Sequence, residues 1–152
     1  MEESGGFTMF MGEYHHNLDE KNRIVIPQKF REILQNEFVI VKGIEKCLYI
    51  YSMKDWQNLV DKLNTLPFTK KDARTFIRSF FSLATVSEVD RQGRASITSQ
   101  LVNHAGLSRE CVIIGANNRV EIWDKQNWNE FLHENQEKLS DIAENLFTDG
   151  EL

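Results

Sequence analysis

The chain has 152 residues, 41% of them hydrophobic and 27% charged, with two prolines, eight glycines and two cysteines. That is enough for one domain, or for two halves sharing one core, and it excludes collagen-like, linker-rich and disulfide-scaffold chains. The net charge of -5 argues, taken alone, against a nucleic-acid partner.

In chain order, Tyr14, His16 and Leu18 share one face of a strand, since strand side chains alternate. The adjacent His15 points to the other face, so the histidine pair is not expected to chelate a metal. Asp19-Glu-Lys-Asn22 is a turn, with Asp and Asn as turn residues. Ile24-Val-Ile26 reads as a strand, Pro27 as a first helical residue and Gln28 to Leu34 as a short helix. Phe38 to Val41 and Leu48 to Tyr51 form a hairpin around Gly43. Ser52-Met-Lys-Asp55 resembles a capping box, and Trp56, Leu59, Val60 and Leu63 follow at helical spacing. Ala73, Phe76, Ile77, Phe80, Phe81 and Ala84 form a second apolar helical face, for core or subunit packing.

The same series then recurs. VDRQGRASIT repeats LDEKNRIVIP at an offset of 71, with Asp90 on Asp19 and Arg94 on Arg23. Thr98 or Ser99 caps the matching helix. IGANNRVEIW repeats KGIEKCLYIY at an offset of 72, with Gly115 on Gly43 and Trp128 on Trp56. One inserted residue accounts for the change. A repeat of two suggests a duplicated module with pseudo-two-fold symmetry. The expected division is an extension and strand start over 1–12, a first module over 13–55 and connecting helices over 56–83. A second module over 84–127 and an acidic helix or tail over 128–152 follow.

Charge follows the repeat. Glu130 to Leu152 holds seven acids and one base, a net -6, which leaves +1 for Met1 to Asn129. Lys21 to Arg31 holds four bases and no acid, and Arg91 to Arg109 three bases and no acid. The Asp-x-x-x-Arg spacing shared by these windows has two compatible meanings. Asp19 and Asp90 can accept turn N–H bonds and pair with the arginines. Lys21 and Arg23, or Arg91 and Arg94, can offer donors to phosphate or to guanine O6 and N7. No P-loop, G-x-S-x-G, H-E-x-x-H or G-x-G-x-x-G occurs, and no nucleophile, base and orienting group stand together. Cys47 and Cys111 lie in apolar runs and read as reduced core residues. No enzyme activity, cofactor, metal or small-molecule substrate is expected. There is no apolar run of about 20 residues and no signal-peptide pattern at Met1, so a cytoplasmic protein without membrane contact is expected.

FMGEYHHNLDEKNRIVIP (Phe10 to Pro27) and VDRQGRASI resemble the two signature segments of the MraZ family. ARTFIRSFFSLA (Ala73 to Ala84) and HAGLSRECVIIGANNRVEIWD (His104 to Asp124) fit the same family, in order, from Met9 to about Leu146. Members of that family typically begin at the equivalent of Met9, so the resemblance implies that Met1 to Thr8 is an extension, a misassigned start or a cloning remnant outside the fold. The resemblance implies an α+β fold: a duplicated double-split β-α-β arrangement of two interlocked SpoVT/AbrB-type halves, with additional packing helices. It implies a nucleoid-associated transcriptional regulator that assembles into a homo-oligomeric ring. Such a ring binds short repeats in double-stranded DNA upstream of the division and cell-wall gene cluster and usually represses it. The family's DNA-contacting turn falls on Lys21, Asn22 and Arg23, with Arg91 and Arg94 in the matching turn. Asn22 stands where the family usually has Gly; Asn tolerates a left-handed backbone. The competing reading is a protein-interaction module, antitoxin-like, using the C-terminal segment with Leu139, Ile142 and Leu146.

Overall fold

β1 (Phe10–Asn17) turns Phe10, Tyr14 and His16 inward and leaves the residues between them exposed, and Asp19 to Asn22 turn the chain into the short strand β2 (Arg23–Val25). Helix α1 (Gln28–Leu34) follows, then the hairpin β3 (Phe38–Lys42) and β4 (Leu48–Ser52), then α2 (Met53–Leu63) and α3 (Lys71–Phe81). The second half repeats this order as β5 (Thr85–Ser87), β6 (Arg94–Ser96), α4 (Ser99–Ala105), β7 (Glu110–Asn117), β8 (Val120–Asp124), α5 (Lys125–Asn135) and α6 (Leu139–Leu146). This computed structural model describes residues 9–147. The N-terminal extension expected at Met1 to Thr8, and the last two acids of the tail, Asp149 and Glu151, lie outside the described residues.

The protein is α+β and duplicated. Its main sheet is antiparallel, in the order β1-β7-β8-β4-β3-β5. Each hairpin is therefore completed by the first strand of the other half: β1 lies on β7, and β5 lies on β3. A two-stranded ribbon, β2 with β6, joins the halves a second time. In the ribbon Ile24 faces Ala95, and in the sheet Tyr49 faces Glu121. Each is a pair of repeat-equivalent residues, so one pseudo-two-fold axis passes through both.

The duplication is not uniform. Lys42 pairs with Leu48 across a five-residue loop, whereas Gly115 pairs with Val120 across four. Gly115 thus takes the place of Lys42 and not, as the sequence match suggested, that of Gly43. Two residues are gained before β7 and one is lost in its hairpin. Gly115 is fixed by the neighbouring half: a Cβ there would lie 2.5 Å from the Phe10 carbonyl carbon and 2.6 Å from the Met11 Cα. Backbone cannot yield as a side chain can, so β1 approaches β7 this closely only over glycine.

The central strands are apolar on both faces, which gives three layers. Phe38, Ile40, Leu48, Ile50, Ile113 and Ile122 face one side, where Phe30 and Leu34 of α1, Leu101 and Ala105 of α4, and Ile24 and Ala95 of the ribbon close the core. Truncating one such isoleucine to alanine removes about 2–5 kcal/mol. Val41, Tyr49, Tyr51, Val112 and Trp123 face the other side, under Trp56 and Leu59 of α2, Phe80 of α3 and Trp128 of α5. Cys47 and Cys111 are free thiols buried in these two cores. Ser52 caps α2 by accepting from the Asp55 N–H at 3.1 Å, and Thr98 rather than Ser99 caps α4. Pro27 sits one place earlier than expected. It is the N-cap, with extended ψ, and its carbonyl accepts from the N–H groups of Phe30 and Arg31.

Candidate functional site

The two Asp-x-x-x-Arg turns fold alike. In the first, Asp19 Oδ1 accepts from the N–H of Lys21 (2.9 Å) and of Arg23 (2.8 Å), and Oδ2 accepts from Arg23 Nε (2.8 Å). In the second, Asp90 Oδ1 accepts from the N–H of Gln92 and Arg94 at 2.9 Å each, and Oδ2 from Arg94 Nε at 2.8 Å. Each aspartate thus both closes the turn and holds its arginine. These bonds, the arginine backbone N–H foremost, hold both carboxyls below the usual carboxylate range. Asn22 and Gly93 occupy the same position, both with left-handed backbone (φ 59° and 78°). The Asn-for-Gly difference therefore leaves the turn intact.

The ribbon sets the geometry between the turns. Because β2 and β6 are antiparallel, the turns lie at opposite ends. The Ile26 N–H donates to Gly93 O and the Ile97 N–H to Asn22 O, which extends the ladder to both turns. Asn22 and Ile26 are four positions apart, so the turns stand about 13 Å apart at roughly 3.3 Å per residue. Ile24 and Ala95 fill the inner face. Arg23, opposite Ser96, and Arg94, opposite Val25, are diagonal neighbours on the outer face. Arg94 Nη1 comes within 3.9 Å of Asp19 Oδ2. Lys21 and Arg91 project from the turns and are exposed. All five basic-turn residues singled out from sequence are thus brought to one ribbon.

One neighbour was not singled out. Arg31, on α1, lies against the second turn: a Cβ on Gly93 would meet its Nη1 at 2.6 Å and its Cζ at 2.8 Å. Its Nε is buried and has no hydrogen-bond partner. Val102 holds the equivalent place in the second half, so the second turn takes Gly where Arg31 covers it. The acid-free window included Arg31, but helical position gave no sign that it would reach the other half.

Counted with its acids, the ribbon as a whole is weakly basic. Asp19, Glu20, Lys21 and Arg23 balance, whereas Asp90, Arg91 and Arg94 leave one positive charge, and Arg31 adds another. The histidines are elsewhere. His15 Nε2 lies 2.8 Å from Glu13 Oε2, on an exposed face. Half-buried His16 points away, and burial pushes its pKa down. His104 Nε2 lies 3.2 Å from the Gly43 carbonyl oxygen. Among the described residues no three His, Cys, Asp or Glu side chains converge as metal ligands, and no helix is long and apolar enough to cross a membrane.

Fold and site together define a duplicated α+β protein that displays a paired basic ribbon on its pseudo-two-fold axis. Residues 9–79 and again 80–150 match the family model described as "MraZ protein, putative antitoxin-like". The two matches take in nearly the whole chain, which belongs to the MraZ family, a regulatory rather than an enzymatic one.

Proposed function

We propose that this chain is a sequence-specific regulator of transcription that reads double-stranded DNA with the β2–β6 ribbon. Lys21, Asn22, Arg23, Arg91 and Arg94 make the contacts, while Asp19 and Asp90 hold the turns. The halves, 13–55 and 84–127, act as SpoVT/AbrB-type modules in a double-split β-α-β arrangement. The operator is a set of short repeats upstream of a division and cell-wall gene cluster that includes the protein's own gene, and the expected effect is repression in the nucleoid.

The observation that carries this reading is the outer ribbon face, with Arg23 and Arg94 diagonal to one another, exposed Lys21 at one end and exposed Arg91 at the other. A two-stranded ribbon fits a major groove about 12 Å wide. The aspartates engage Nε, so the terminal Nη groups of Arg23 make no bond within the turn, while Arg94 Nη1 lies 3.9 Å from Asp19 Oδ2 across the ribbon. Each subunit offers few cations, and this suits a homo-oligomeric ring: tethered subunits bind repeats far better than any one binds a single site.

Fluorescence anisotropy tests the proposal, using DNA from upstream of the gene with its repeats intact or scrambled, at two salt concentrations. Tight, repeat-dependent binding that weakens with salt and is lost in Arg23→Ala supports it. Equal binding to both DNAs, or undiminished affinity in the variant, refutes it.

A second reading is an antitoxin-like protein-interaction module, favoured by the uncovered apolar face of α6 and by the family's description. Recovery of one stoichiometric protein partner, with no DNA shift, would establish it instead.

A further inference from the structure

The outer face of the ribbon repeats in backbone but not in chemistry. It carries four side chains, Arg23 beside Ser96 and Val25 beside Arg94. The pseudo-two-fold exchanges Arg23 with Arg94, and Val25 with Ser96. The first pair is identical, and each arginine is tethered through Nε to the aspartate of its own turn at 2.8 Å. The second pair is not: it sets the half-buried isopropyl group of Val25 against the exposed hydroxyl of Ser96, on the other diagonal of the face.

The core uses the opposite side of the ribbon, where Ile24 and Ala95 are fully buried. Strand side chains alternate, so Val25 and Ser96 point away from that core. Neighbours across the ribbon stand about 5 Å apart and neighbours along a strand about 7 Å. The four side chains together are therefore narrower than a major groove of about 12 Å. Val25 and Ser96 carry no charge and add nothing to the attraction of phosphate. What they can offer is read at base edges. An apolar side chain packs on the thymine C5-methyl, and a hydroxyl bonds either a donor or an acceptor of a base.

We infer that Val25 and Ser96 determine sequence specificity, Val25 by packing on a thymine methyl and Ser96 Oγ by hydrogen-bonding a base edge, at two dyad-related base pairs. The inference rests on the DNA contact proposed above and assigns it two residues outside the turns. Arg23 and Arg94, being alike, ask the same of both halves of a contact. Val25 and Ser96 break that equivalence, so different bases are preferred at the two dyad-related positions.

The test is fluorescence anisotropy on the full chain, with the upstream repeats intact, scrambled, or changed at one base pair in every repeat at once, each position in turn. The variants are Val25→Ala, Ser96→Ala and the exchange Val25→Ser/Ser96→Val, with unchanged circular dichroism confirming folding. Ser96→Ala should flatten the preference at one base pair, and Val25→Ala at a second, each by about threefold or more. The salt dependence should stay as in wild type, because no charge is removed. In the exchange variant the two preferences should trade places across the dyad, an outcome that a merely structural role does not produce. A wild type that binds intact and scrambled repeats equally would remove the DNA reading itself, and this inference with it. With a discriminating wild type, the assignment of Val25 and Ser96 alone is overturned if the variants keep the wild-type preference at every base pair, weaken binding to all DNAs equally, or show no trade on exchange.

Discussion

Charge and hydrogen-bond geometry at the first turn can be separated by two substitutions, Lys21→Ala and Arg23→Lys. Lys21 is exposed and makes no side-chain bond within the turn, so alanine removes one cation and leaves the Asp19 bonds in place. If Lys21 meets a phosphate, the slope of log affinity against log salt should fall by about 0.9 for each subunit engaged. The ratio of affinities for intact and scrambled repeats should not move. Arg23→Lys does the opposite. It keeps the charge and loses the planar fork whose Nε is fixed by Asp19 at 2.8 Å. A bidentate arginine–guanine contact is worth about 1–3 kcal/mol of discrimination, a factor of roughly 5 to 150. The intact-to-scrambled ratio should fall by that factor while the salt slope stays as in wild type. Anisotropy titrations over a salt series measure both quantities on the same samples. The reasoning fails if Arg23→Lys retains the wild-type ratio, or if Lys21→Ala lowers the ratio as much as Arg23→Lys does.

Other consequences concern the frame. Glu121 is only 6% exposed and accepts from Arg119 Nε and Trp123 Nε1, each at 2.9 Å, while the Arg119 guanidinium sits 4.2 Å over the Tyr49 ring. Arg119→Ala strands that carboxylate and should cost about 2–4 kcal/mol in urea unfolding, and Arg119→Met/Glu121→Leu should recover most of it. Asp19 and Asp90 titrate below their unfolded values, so their stabilisation is present above about pH 4 and is lost as pH falls through their folded values. The deficit of Asp19→Asn/Asp90→Asn in thermal melts should accordingly be largest near neutrality and shrink below about pH 4. Burial pushes the Cys111 thiol up to about 11 and the Cys47 thiol well above the usual range. A thiol reagent at pH 8 should label neither cysteine until denaturant is added; fast labelling of the native protein would contradict the buried placement.

Much of this protein was settled by local sequence. The Gln28–Leu34 helix, both hairpins, the Ser52 cap and the twin Asp-x-x-x-Arg turns arise from capping residues, turn residues and apolar period, which act over a few positions. The duplication was legible because both copies keep the residues their turns require. What the period could not supply was the partner of each strand. That β1 completes the second hairpin and β5 the first depends on contacts between distant residues, such as Gly115 beneath Phe10 and Met11. For the same reason the sequence alignment misplaced Gly115 by one position: identity matched Gly to Gly, whereas strand pairing matched it to Lys42. Arg31 reaching the second turn is likewise a contact between halves, invisible at either site alone. Sequence by itself determined the turns and what they could offer a ligand. Only the tertiary structure, by pairing β2 with β6 across the pseudo-two-fold, decided that the two turns form one surface, because that pairing joins residues some seventy positions apart.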